Sequence, residues 1–124
     1  RMDALRDRLQ AGLLTSCPDT SVNGDRHNRL PNTTNISFEY IEGEAILYSL
    51  SDLGVAASSG SACSSGSLEP SHVLRAMGIP FTAVHGSIRF SLSRYNTEQD
   101  VDYVIEHMPV IVRRLRALSP FVKK

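Results

Sequence analysis

One thiol stands where a structural cysteine does not belong. Cys63 sits in the stretch ASSGSACSSGSLEP, Ala57 to Pro70, and eight of the ten residues from Ser58 to Ser67 are serine or glycine. A cysteine kept for packing wants burial, and such a segment offers few atoms to bury it with. A Gly/Ser-rich run also loses much entropy on ordering, so the spacing predicts a mobile loop over 58–69 with Cys63 on a tether. With about five residues on either side, the sulfur could swing through roughly 15 Å. A nucleophile that must visit two places would be built this way. The competing reading is a cysteine that fell by chance in a linker, although an exposed thiol is an oxidation liability. A phosphate cradle is the weaker alternative, because Gly60 and Gly66 lack the Gly-Lys-Ser/Thr ending of such loops.

Arg89 is the second residue with chemistry to offer. It lies on the polar side of an alternating stretch, Ser87 to Leu92, between small serines that leave room in front of it. A guanidinium so placed could receive a carboxylate through two parallel hydrogen bonds, and a solvated or structurally paired arginine is the alternative. The histidines say less. His27 sits in a turn, His72 and His107 fall on helical patterns, and His85 precedes the Arg89 stretch. Cys63, His72 and His85 could be imagined as metal ligands, but their spacing matches no zinc pattern, and no intrinsic metal site is expected. Cys17 borders a helical stripe and reads as a core or boundary residue.

These groups belong to a chain of 124 residues with 13 basic and 13 acidic side chains. That length makes one domain able to bury a core without disulfides or metals as staples. The balanced charge gives no footprint for nucleic acid or an anionic membrane surface, so neither is expected as a partner. No apolar run approaches a membrane span and no charged-then-apolar leader opens the chain, so a soluble, cytoplasmic protein is expected. Cys17 and Cys63 have no Cys-x-x-Cys spacing, which argues against a disulfide scaffold. Two Asn-x-Ser/Thr matches, at Asn32 and Asn35, are expected to be fortuitous. A helical pattern is already running at Arg1, as if a longer polypeptide had been cut there. Lysine occurs only as Lys123 and Lys124.

The positioning elements follow from periodicity. Met2, Leu5, Leu9 and Leu13 predict a helix over about 2–15, ended by Pro18. Ser21 to Asn23 reads as a short strand, and Ile36, Phe38 and Tyr40 alternate as a half-buried strand. A helix is predicted over 42–53, with Gly54 past its end, and a short strand over Val55 to Ala57. Pro70 to Met77 reads as a short helix closed by Gly78, with a connection over 79–86. Ile88, Phe90 and Leu92 form the packing side of the strand that carries Arg89. Thr97 caps the last helix, whose stripe is Val101, Val104, Ile105, Met108, Ile111, Val112, Leu115 and Leu118. Acidic residues fill its first half and arginines its last part, the order a helix dipole favours. Pro109 predicts a kink or break within it. The fold class expected is α+β: about four helices on one face of a small, mainly antiparallel sheet of three or four strands.

Taken together, SSGSACSSGSLEPSHVLRAMGI, HGSIRFSLSRYNTEQDVDYVIEHMP and RLRALSP resemble the C-terminal part of the cysteine desulfurases of the NifS/IscS type. Upstream, VNGD and LPNTTNISFEYIEGEAIL fit the same family, so the resemblance covers essentially the whole chain and leans toward the nitrogen-fixation NifS branch. It implies the small C-terminal domain, residues 1–124, of a homodimeric pyridoxal-phosphate enzyme of the aspartate-aminotransferase fold, within the wider α/β superfamily. Such enzymes convert L-cysteine to L-alanine and hold the sulfur as a persulfide on a cysteine, here matched by Cys63. The substrate-carboxylate arginine is matched by Arg89.

The resemblance also says what is missing. The Schiff-base lysine and the phosphate-binding residues belong to a large domain that this chain does not include, so no cofactor-binding residue is expected here and the isolated chain is expected to be inactive. Ser64 replaces the threonine common after the family's cysteine. An iron–sulfur scaffold protein or another acceptor would take the sulfur, with Cys63 a candidate transient ligand to a cluster. Two readings stay beside this one: a cofactor-free sulfur carrier or adaptor using Cys63, and a metal or redox module built on the cysteines and histidines.

Overall fold

The computed structural model describes residues 1–24, 31–60 and 86–119. The first helix, α1, spans Met2–Ser16 and buries Leu5, Leu9 and Leu13. Their spacing of four continues to Cys17, which is wholly buried just past the helix end. Cys17 leaves the helix in an extended conformation while its N–H still bonds the Leu13 carbonyl at 2.9 Å. Pro18 follows, so the helix cannot continue.

Among the described residues, four strands make one antiparallel sheet: β1 (Thr20–Asn23), β2 (Thr33–Phe38), β3 (Ser58–Ser59) and β4 (Ser87–Ser91), in the order β1-β2-β4-β3. Between them, α2 covers Gly43–Asp52, and a last helix, α3, covers Glu98–Leu118. The α+β expectation holds, with Ile36, Phe38, Ile88 and Phe90 of the sheet buried in one core with residues of the three described helices. The β2–β4 pair continues past the assigned strand, since Phe38 N–H bonds the Gly86 carbonyl at 3.0 Å. A Cβ at Gly86 would run into the Phe38 and Ile41 carbonyl oxygens, so glycine is required by this close approach. Gly12 stands at a close approach of two helices, where a Cβ would meet the Ile105 side chain of α3 and require it to shift.

Helix α2 ends in paired reverse bonds, Gly54 N–H to the Ser51 carbonyl and Val55 N–H to the Leu50 carbonyl, both 2.9 Å, with Gly54 at φ +79°. This closure explains a departure from expectation. Val55 to Ala57 form no strand, because Val55 is occupied in ending α2; the pairing with β4 begins at Ser58 and Ser59. The alternation in β2 likewise stops at Phe38, and Tyr40, read as its continuation, stands in a turn at φ +71°.

Helix α3 starts on a capping box. Thr97 Oγ1 accepts the Asp100 N–H at 3.2 Å, and the Asp100 carboxylate accepts the Thr97 N–H at 3.0 Å. Of the kink or break expected at Pro109, a break is excluded: the helix runs through it from Glu98 to Leu118. Proline removes a single internal hydrogen bond, and buried Val101, Val104, Met108, Ile111 and Val112 hold the helix on both sides of it. Leu118, predicted as part of the stripe, is 77% exposed. Among the described residues, no helix is long and apolar enough to cross a membrane. The predicted helix over 70–77 lies outside the described residues, as does the connection over 79–85.

Candidate functional site

Arg89 falls in the middle of β4, where the register sets it opposite Asn35 of β2 on one side and Ser58 of β3 on the other. Directly opposed residues share a face, so Asn35, Arg89 and Ser58 form one row across three strands. The side chains of Ile88 and Phe90 go to the core, which leaves this row on the polar face. Arg89 Nε–H donates to Ser58 Oγ at 3.1 Å. Among the described residues its two terminal nitrogens have no hydrogen-bond partner, and the guanidinium is exposed. A guanidinium edge without a hydrogen-bond partner among the described residues has donors of the kind that a carboxylate accepts from.

The rows on either side differ. Toward one end of β4, Thr33 and Ser91 approach at 3.5 Å and are exposed to solvent. Toward the other, Ser37 and Ser87 are wholly buried, with their hydroxyls 2.9 Å apart. Asn23 of β1 donates its amide to Ser37 Oγ at 2.6 Å, and more distantly to Ser87 Oγ and Asn35 Oδ1. The polar face is thus partly interior, and its buried groups satisfy one another.

This network also holds the chain as it leaves the sheet toward the cysteine. Gly60 N–H donates to the Ser87 carbonyl at 2.8 Å, and the Gly60 carbonyl accepts from Asn35 Nδ2 at 3.2 Å. A Cβ at Gly60 would meet the Asn35 amide, so the backbone and this side chain lie in direct contact. Cys63 itself lies outside the described residues, as do His27, His72, His85, and residues 61–69 of the predicted loop. Sequence reading missed Asn23, Asn35, Ser37, Ser58 and Ser87 as parts of this arrangement. Their common signal is a small polar residue at every second position of facing strands, which has meaning only once the register is known.

Several other titratable groups have structural employment. Burial pushes the Cys17 thiol up, with a Ser16 hydroxyl contact at 3.8 Å and the Arg116 charge opposing, so its thiolate is scarce. Arg116 donates to the carbonyls of Glu39 and Asp19, each at 3.1 Å, tying α3 to the turns beside β1 and β2. Burial lowers its pKa against the pull of Asp19. His107 packs its ring on Tyr103 at 4.4 Å. Among the described residues no cluster of histidine, cysteine and carboxylate could hold a metal ion. A groove of about 630 Å³ runs along the other side of β4, lined by Leu9, Leu53, Phe90, Leu92 and Val104. Among the described residues its titratable lining residues are Asp100, employed in the helix cap, and Tyr103, which donates to the Leu53 carbonyl.

Comparison with known proteins places the chain among relatives by sequence and by fold. Residues 1–104 match the model of the family described as aminotransferase class-V. A cysteine desulfurase of Nostoc sp. is 72% identical over 117 residues, covering 94% of this chain and 29% of the relative. The cysteine desulfurase NifS of Azotobacter vinelandii is 64% identical over 120 residues, covering 97% and 30% respectively. Among solved structures, a NifS-like protein superposes with a TM-score of 0.74 at 33% identity, over 92% of this chain and 28% of that one. The chain therefore spans about three tenths of the length of the curated relatives it matches.

Proposed function

The chain belongs to the aminotransferase class-V family, and on that premise we propose that it is the small C-terminal domain of a pyridoxal-phosphate-dependent cysteine desulfurase. The observation that carries this reading is the 72% identity to a cysteine desulfurase over 117 residues, a span that includes most of the chain. In this reading residues 1–124 supply two groups. Arg89 takes the carboxylate of L-cysteine through its open guanidinium edge. Cys63, as the thiolate, takes the substrate sulfur, so that L-cysteine and the enzyme thiol become L-alanine and an enzyme persulfide. The persulfide then passes to an acceptor such as an iron–sulfur scaffold protein.

Pyridoxal phosphate supplies an electron sink when bound to such enzymes. It is held through a lysine amine, and the described residues include no lysine. In this reading the cofactor is held by the large domain of the complete enzyme. The same reading includes a homodimer and a cytoplasmic location.

The direct test uses the complete enzyme and sulfur-labelled L-cysteine. Labelled sulfur should appear on Cys63 as a reducible persulfide, with L-alanine in equal amount. Cys63→Ser should abolish the label while the cofactor's visible absorbance is kept. Persistence of label in that variant would remove Cys63 from the reaction.

A further inference from the structure

An arginine fork recognises a carboxylate well only when its plane is fixed, because a freely rotating guanidinium must be ordered as the ligand arrives. Arg89 carries five N–H donors and no acceptor, so whatever holds it must accept. Ser58 does so, with its Oγ 3.1 Å from Arg89 Nε. The bond engages the side of the guanidinium that a carboxylate does not need, and leaves the two terminal nitrogens without a partner among the described residues.

We infer that Ser58 is a positioning residue for substrate recognition, fixing the plane of Arg89 so that its terminal nitrogens meet a carboxylate in register. The inference rests on the proposed role of Arg89. Three features support it. Ser58 is backbone-paired directly opposite Arg89, so its hydroxyl is delivered by the register rather than by a flexible segment. The next two residues extend the hold on β4: Ser59 pairs with Ile88, and Gly60 N–H bonds the Ser87 carbonyl. The far side of the row is closed by Asn35, opposite Arg89 on β2 and tied to the Gly60 carbonyl. Ser58 is therefore held within the sheet, and it begins the segment that leads to Cys63. Occupancy of the arginine and the departure of the cysteine segment meet at one residue.

The test compares three variants of the complete enzyme, with thermal unfolding as a check on folding. Ser58→Ala should raise KM for L-cysteine about three- to tenfold, the effect of losing one bond to a charged group that orients rather than binds. Its kcat should change much less. Ser58→Thr, which keeps the hydroxyl, should restore KM. Binding of the unreactive product L-alanine should weaken in Ser58→Ala by a similar factor, whereas binding of ethylamine, which has no carboxylate, should not. A structural defect would weaken both amines together, and that result overturns the inference. An unchanged KM in Ser58→Ala, with Arg89→Ala strongly impaired, overturns the role of Ser58 and leaves the reading of Arg89 standing. Unchanged kinetics in Arg89→Ala would remove that reading and the inference with it.

Discussion

Asn35 and Gly60 are held against one another: the Asn35 amide donates to the Gly60 carbonyl at 3.2 Å, and the space a Cβ would need at Gly60 is filled by the same amide. The contact joins the middle of the sheet to the root of the cysteine segment. Removing either partner should therefore have consequences that are not independent.

Gly60→Ala should push the Asn35 amide aside and break its bond, and Asn35→Ala should lose that bond directly. Each should cost about 1–2 kcal/mol in denaturant unfolding. Because Asn35→Ala also clears the space for the new methyl, the double variant should cost less than the sum of the singles. Strict additivity would show that the two residues do not touch. Gly86→Ala should be worse, at about 3 kcal/mol or more, since the obstruction there is the backbone of Phe38 and Ile41.

Met108 and Leu118 occupy the same apolar stripe in sequence and opposite environments in the fold. Met108 is wholly buried and Leu118 is 77% exposed. Met108→Ala should cost about 2–5 kcal/mol and Leu118→Ala less than about 0.5 kcal/mol. Equal losses in unfolding experiments would contradict this placement of the helix end.

Thr97→Ala should destabilise the start of α3 by about 1 kcal/mol, readable as a lower midpoint in denaturant. Asp100, the other half of the box, is held below the usual carboxylate range by the Thr97 backbone N–H and the Asn96 amide. A carboxylate depressed in the folded state contributes stability that is fully present above its unfolded pKa, about 4. That contribution is lost as the pH falls through the folded value. Asp100→Asn should flatten this part of the acid-unfolding profile, and an unaltered profile would exclude Asp100 as its source.

The two cysteines should separate cleanly in reactivity. Cys17 is wholly buried, and burial pushes its thiol pKa up. A disulfide-exchange reagent at mildly alkaline pH should label Cys63 in the native protein and Cys17 only after unfolding. Mass mapping of the modified peptide reads the result directly. A raised folded pKa also means that the stability tied to Cys17 is present below the unfolded thiol's pKa and declines as the pH rises above it. Rapid native labelling of Cys17 would mean that α1 and α3 part more easily than their packing implies.

Much of this protein was legible in its residues. The four-residue spacing of Leu5, Leu9 and Leu13, the Thr97 cap and the alternation around Arg89 each depend on neighbours within a few positions. Local geometry therefore decides them, and the structure agrees. The same applies to Arg89 standing off the core, since the direction of a strand side chain follows from its parity. Three local readings were overruled, each for its own reason. Pro109 was carried through by packing on both sides of it. Val55 was claimed by the end of α2, which moved the strand to Ser58 and Ser59. Leu118 ran past the reach of the core.

What tertiary structure alone decided is the company Arg89 keeps. Asn35 lies 54 positions before it and Ser58 31 positions before it, and no periodicity within either segment says that they will share a row. Pairing register is set by which faces bury together across the whole sheet, so a serine that looks like one of many in a low-complexity run acquires its role only when β3 docks on β4.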